Sequence, residues 1–174
     1  MIRSLLFWTL FPFVLPQAIR VRNDAPRFPG AGGPKEGATG EGPPLSLLAV
    51  GDSIIAGVGA ESLSKALVGQ TAAWLADLLG CRIDWTARGS IGADSKKILH
   101  RLVPRLPEPE ADVIILSVGV NDVTGLTRLS RWQRNLNDLL AALHRHSPRA
   151  IVAVAGIPPL KGFPLLPQPL RALF

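Results

Sequence analysis

Three short segments of this 174-residue chain combine glycine with polar side chains at points where backbone donors would be left exposed. The first, Gly51-Asp52-Ser53-Ile54-Ile55-Ala56-Gly57, sets a serine hydroxyl in a tight turn directly after an apolar run. Gly51 permits the turn, and the backbone N–H groups just after Ser53 are free to stabilise a developing oxyanion. The second, Gly89-Ser90-Ile91-Gly92-Ala93-Asp94, is a glycine-rich entry to a helix whose first N–H groups lack intrahelical partners and can donate to an anion. The third, Gly119-Val120-Asn121-Asp122, follows another apolar run and projects a carboxamide whose NH2 donates into the same crevice. Each segment alone has a bland reading: Asp52 or Ser53 as a helix cap, Asn121 and Asp122 as an Asx turn. Asp52 reads as a turn or hydrogen-bonding residue rather than as an acid. Together the three put a serine nucleophile beside convergent donors, which is the equipment of acyl transfer.

Such segments need a frame that brings them to one place. LSLLAV from Leu45, VIILSV at Val113 to Val118 and AIVAVA at Ala150 to Ala155 are short continuous apolar runs, the pattern of strands buried on both faces. Arg82 to Thr86 is a further strand. Ser64 to Leu79 carries apolar residues at helical spacing, with Gly80 where a left-handed C-cap belongs. Asp94 caps a helix to about Leu106, disturbed by Pro104 and Pro107, and Ser130 caps another to about His146. Strands alternating with helices imply right-handed crossovers, hence a parallel sheet of at least four strands with helices on both faces, a three-layer α/β/α fold. In such sheets ligands bind beyond the C-terminal ends of the strands, where all three segments fall.

The folded domain is expected over 45–174. Residues 26–44 are rich in Gly and Pro, with too few large apolar side chains to offset their ordering entropy, and read as a linker. Before it, within 1–25, Ser4 to Ile19 form an apolar, aromatic-rich stretch flanked by Arg3, Arg20, Arg22 and Arg27. It falls short of the roughly 20 residues a spanning helix needs, and Pro12 and Pro16 interrupt it. A short anchor on a membrane surface, a signal sequence and a segment packed on its own domain all remain open, so the protein is membrane-associated or exported, otherwise cytoplasmic.

With 47% hydrophobic and 18% charged residues the balance is that of a globular protein. The formal charge of +6 comes from scattered arginines, which gives no nucleic-acid surface. Cys81 is the single cysteine, so neither an internal disulfide nor a cysteine-rich zinc site can form, and no metal cluster or cofactor is expected. The Gly57 and Gly59 pair echoes a dinucleotide loop, but Ser62 stands where the third glycine belongs.

From Leu45 to Gly156 the chain resembles the SGNH (GDSL-like) hydrolases: GDS at 51–53, the second-block glycine, and GVND at 119–122, in that order and after successive strands. The resemblance implies a flavodoxin-like three-layer fold and a serine ester hydrolase acting on a small-molecule ester. It makes Ser53 the acyl nucleophile, with the Ser53 N–H, the Gly92 N–H and the Asn121 side chain as the oxyanion hole. Gly89 competes for the second-block role, but aligning GSIGAD on the family's glycine favours Gly92. Gly51, Asp52, Gly119 and Asp122 are supporting residues.

One departure concerns the general base. The family places a histidine near its C-terminus with an aspartate three residues before it, and no DxxH occurs here. His144 and His146 close the helix that precedes the last strand, at the edge of the sheet opposite Ser53. A five- or six-residue strand spans about 17 to 20 Å, and proton transfer needs about 3 Å. Their expected role is to interact with a helix C-terminus. His100 sits about 9 Å along its helix from the N-terminal end. No base histidine is therefore expected in this chain, which reads as the N-terminal two-thirds of a hydrolase domain with little turnover. Two rivals to an esterase follow: a non-catalytic module that binds an ester or carbohydrate, and a membrane-associated structural protein working through residues 4–19.

Overall fold

A computed structural model of the chain describes residues 28–108 and 110–157, together with scattered positions before and after them. Two units are distinguished, residues 28–157 and a second made of 1–27 with 158–174. In the second unit much of the 4–19 stretch lies outside the described residues. There, Pro12 to Gln17 are helical, Val14 is buried, and the Gln17 side chain donates to the Gln168 carbonyl at 2.8 Å. Among the described residues no helix is long and apolar enough to cross a membrane.

In the larger unit the apolar runs form a five-stranded sheet: β1 (Glu36–Thr39), β2 (Pro44–Gly51), β3 (Arg82–Gly89), β4 (Val113–Ser117) and β5 (Ile151–Ala155), in the order β1-β3-β2-β4-β5. β3, β2, β4 and β5 are parallel, as crossover connections require, and β1 is antiparallel to β3. Strand alternation explains why β2 is apolar throughout. Leu47 and Ala49 face α1 (Leu67–Leu79), with Ile83, Trp85, Val68 and Ala72. Leu48 and Val50 face the other layer, with Ile114, Leu116, Ile98, Leu139 and Leu143. Leu139 and Leu143, one helical turn apart and fully buried on α4 (Leu129–His146), each contribute about 1.5 to 3 kcal/mol.

The linker expectation for 26–44 is corrected for residues 28–44, which belong to the folded unit and include β1. Few apolar side chains are needed there because the stabilisation is backbone pairing to β3 and cover for the Trp85 ring. A Cβ at Gly37 would run into that ring, so glycine is what lets the strand lie on it. The sheet is accordingly mixed rather than purely parallel. The helix expected from Asp94 to Leu106 is likewise not one regular helix. A single turn, α2 (Ser95–Lys97), passes into a π-helical turn at Ile98–Leu102 and a 3-10 turn at Val103–Arg105. Pro104 removes a donor and crowds the carbonyl four residues back, so regular α geometry cannot reach it. The Asp94 cap is present: its Oδ1 accepts the Lys97 N–H at 2.8 Å. Ser130 is not a cap, because α4 begins one residue earlier, at Leu129 after Arg128.

Candidate active site

The sheet register brings the three segments together. Gly51, the last residue of β2, pairs with Gly89 of β3 on one side and with Ser117 of β4 on the other. Strands lie about 4.8 Å apart, so the loops after β2, β3 and β4 leave the sheet side by side, with the serine loop in the middle. Glycine at Gly51 and Gly89 is demanded by close approach: a Cβ on the first would meet the Ser117 carbonyl oxygen, and on the second the Ala56 nitrogen. The Ser90 N–H donates to the Gly51 carbonyl at 3.0 Å, and the Asp52 N–H donates to the Ser117 carbonyl at 3.2 Å.

Asp52 builds the turn that carries the serine. It is 2% exposed, and its Oδ1 accepts the Ile54 N–H at 3.0 Å and the Ser117 hydroxyl at 3.1 Å. This is an Asx turn pinned to the neighbouring strand. Behind it, Ala56 N–H donates to the Asp52 carbonyl and Val58 N–H to the Ser53 carbonyl, both at 3.0 Å. Ser53 is left half-buried, and neither its hydroxyl nor its N–H has a hydrogen-bond partner among the described residues.

Gly92 is the third residue of a turn closed by the Ala93 N–H donating to the Ser90 carbonyl at 3.1 Å, and its φ of +70° is what a type II turn requires there. Its N–H has no acceptor among the described residues either. The Lys97 ammonium donates to the Gly92 carbonyl at 3.3 Å, which sets a positive charge on this loop. Asn121 lies in α3 (Val120–Thr124), which opens directly after Gly119 at φ +127°. Its Nδ2 donates to the Ala93 carbonyl at 2.9 Å, using one of two amide hydrogens and leaving the other for a ligand. Asp122 is turned into the protein: it is 3% exposed and accepts the Ser95 N–H at 2.8 Å and the Ser95 hydroxyl at 2.6 Å. Thus Ser53, Gly92 and Asn121 present unsatisfied donors at one strand edge, while Gly51, Asp52, Gly119 and Asp122 shape the loops.

The histidines lie elsewhere. His146 Nε2 meets the Pro107 carbonyl at 3.0 Å and its Nδ1 meets the Ser147 hydroxyl at 2.8 Å, just before β5 begins. Both His144 and His146 lie in the last turn of α4, as expected, and His146 also bonds a loop carbonyl and the hydroxyl of the C-cap residue. His144 and His100 are exposed. A groove of about 360 Å³ runs between β1 and α1, lined by Gly37, Ser62, Gly69 and Trp85 among others; Ser53, Gly92 and Asn121 do not line it. Among the described residues no group of three His, Cys, Asp or Glu side chains could hold a metal ion.

Sequence reasoning missed Ser117, Ser95 and Asn135. The Asn135 amide donates to the Ser95 hydroxyl at 2.9 Å, extending the Asp122 network to α4. A signal existed: asparagine is a poor residue for a helix interior, and this one sits among the core-facing leucines of α4. Ile54 and Ile91, 43% and 56% exposed, border Ser53 and Gly92 and leave apolar surface beside the donors.

The model of the GDSL-like lipase/acylhydrolase family matches residues 49–173, which takes in all three loops. The chain belongs to this family. It is 32% identical over 132 residues to a GDSL-like esterase of Mycobacterium tuberculosis (strain ATCC 25618 / H37Rv), a match covering 74% of the chain and 41% of that relative. The chain thus spans less than half the length of the relative. Two solved structures share the fold. TesA superimposes with a TM-score of 0.57 at 27% identity, over 74% of this chain and 68% of its own. AlinE4, an SGNH-hydrolase family esterase, gives 0.56 at 22% identity, over 76% and 68%. The chain has the three-layer α/β/α arrangement on a mostly parallel sheet, with α1 packed on one face and α4 on the other.

Proposed function

We propose that this GDSL-like chain carries the acylation half of a serine ester hydrolase. The Ser53 hydroxyl attacks the carbonyl carbon of a small-molecule ester, and its proton passes to a base. The tetrahedral oxyanion is held by the N–H groups of Ser53 and Gly92 and by the free Asn121 amide hydrogen. Collapse breaks the ester C–O bond, and the alcohol leaves with a proton. Water then releases the acid from the acyl-serine. One observation carries the reading: two backbone N–H groups without acceptors and an Asn121 amide with one hydrogen unused, in the loops after three neighbouring strands, the middle one carrying a hydroxyl that also has no partner among the described residues.

The base is not one of the three histidines. His146 is committed to Pro107 and Ser147 at the opposite edge of a sheet whose β4 strand alone spans about 17 Å. The chain by itself is therefore expected to acylate slowly and to release the acyl group slowly, so the acyl-serine accumulates. The placement of all three histidines away from Ser53 among the described residues is also what favours a second reading, a module that binds an ester or a carbohydrate without turning it over.

Intact-mass analysis after incubation with p-nitrophenyl butyrate, with and without added imidazole as an external base, tests this. The expected result is one butyryl group on the wild-type chain, faster with imidazole and absent from Ser53→Ala. Equal labelling of the Ser53→Ala variant would remove Ser53 as nucleophile. No labelling of either chain, with ester binding retained, would favour the binding module.

A further inference from the structure

Gly92 and Asn121 belong to loops that are not neighbours in the sheet. β3 and β4 flank β2 on opposite sides, so their ends are two strand spacings, about 10 Å, apart. For both donors to face one oxygen the two loops must be drawn together across the end of β2, above Ser53. Two clamps do this. One is the bond from the Asn121 amide to the Ala93 carbonyl. The other is the paired contact of Asp122 with the N–H and hydroxyl of Ser95, at 2.8 and 2.6 Å. Ser95 is completely buried and Asp122 nearly so, which shields these bonds from competition by water.

A serine hydroxyl has one proton, and the direction in which it donates must be set. The Asn135 amide supplies that direction. By donating into the Ser95 oxygen at 2.9 Å it occupies a lone pair and leaves the hydroxyl proton aimed at Asp122. Asn135 rises from α4, whose Leu136, Leu139 and Leu143 pack into the apolar layer, so its amide is a polar intrusion on a hydrophobic face. Helix propensity does not favour it. Its one hydrogen bond among the described residues is with the clamp.

We infer that Ser95 and Asn135 are positioning residues for the oxyanion hole, coupling α4 through Asp122 to the separation of the Gly92 and Asn121 donors. The inference rests on the Ser53 acyl-transfer reading for its consequence in rate, but the position of the donors can be read independently. Neither residue touches the ester. They act by setting where two donors stand, and misplacement by about 1 Å is enough to slow such a reaction severely.

The test uses the full chain with Ser95→Ala and Asn135→Leu, and with Asn137→Leu, an exposed asparagine on the same helix, as control. Three quantities are measured: the rate of Ser53 butyrylation by intact mass, the Asn121 side-chain amide and Gly92 N–H signals in proton–nitrogen correlation spectra, and the thermal midpoint. In Ser95→Ala and Asn135→Leu the Asn121 and Gly92 signals are expected to move. Butyrylation should slow about tenfold, less than the 10²- to 10³-fold loss typical of deleting a donor outright. Asn135→Leu keeps the Ser95 N–H bond to Asp122 but frees the Ser95 hydroxyl to turn away from it, so its midpoint should stay near wild type while its rate falls, a split that a purely structural role would not give. Asn137→Leu should change neither signals nor rate. Unmoved Asn121 and Gly92 signals in Asn135→Leu, or wild-type butyrylation by a variant whose signals have moved, would overturn the inference. If the wild-type chain takes no acyl group, the Ser53 reading fails, and the signals alone still decide whether Ser95 and Asn135 place the donors.

Discussion

Two glycines allow backbone conformation to be separated from function. Gly92 and Gly80 both hold left-handed conformations, φ +70° and +60°, and a Cβ built on either meets nothing within 4 Å. Gly80 is the C-cap of α1, donating to the Ala76 carbonyl at 2.9 Å at the far edge of the sheet. Gly92 is in the turn beside Ser53. For alanine the left-handed region costs about 1 to 2 kcal/mol, and the stiffer unfolded chain returns roughly half of that. Gly92→Ala and Gly80→Ala should therefore each destabilise the fold by about 1 kcal/mol, a drop of about 4 °C in thermal midpoint for a unit of this size. Their effects on acylation should differ. In Gly92→Ala the strain is relieved in part by tilting the 91–92 peptide, which swings its N–H off the oxyanion position and slows butyrylation of Ser53 about tenfold. Gly80→Ala should acylate as wild type does. Equal acylation rates in the two variants would refute the Gly92 assignment and reopen the claim of Gly89, whose Cβ would strike the Ala56 nitrogen.

Further outcomes follow from the same contacts. Asp52→Ala leaves the Ile54 N–H and the buried Ser117 hydroxyl without their acceptor, and should lower stability by about 2 to 4 kcal/mol in denaturant unfolding. A change under about 0.5 kcal/mol would show that the turn does not depend on the carboxylate. His146→Phe breaks the links to Pro107 and Ser147 and should cost about 1 to 2 kcal/mol, with Ser53 butyrylation unchanged. Loss of butyrylation in a folded His146→Phe chain would make His146 the base, against its placement before β5.

The central strands and the serine loop were readable from local pattern. β2 and β4 must be apolar on both faces to lie between two helical layers, and Gly51-Asp52-Ser53 and Gly119-Val120-Asn121-Asp122 each keep their polar groups within a few consecutive residues. β1 was not readable, because what fixes it is backbone pairing to β3 and the shelter of Trp85, and neither leaves an apolar pattern in Glu36–Thr39. The broken path of α2 was half readable: Pro104 announced a disturbance, but the π-helical turn at Ile98–Leu102 reflects packing against the sheet and α4.

The same division runs through the site. The order of residues along the chain determined that a serine, a glycine turn and an asparagine follow three strands, since strand period and glycine content are local properties. It also determined that His144 and His146 end the helix before β5, on the side away from Ser53. What brings the three loops to the same end of the sheet was decided only by tertiary structure. It depends on the register Gly51 to Gly89 and Gly51 to Ser117, and on a buried chain of bonds from Asn135 through Ser95 to Asp122. Those partners lie 27 and 40 residues apart. Hydrogen bonds over such separations have no sequence period, because their geometry exists only after the layers have packed.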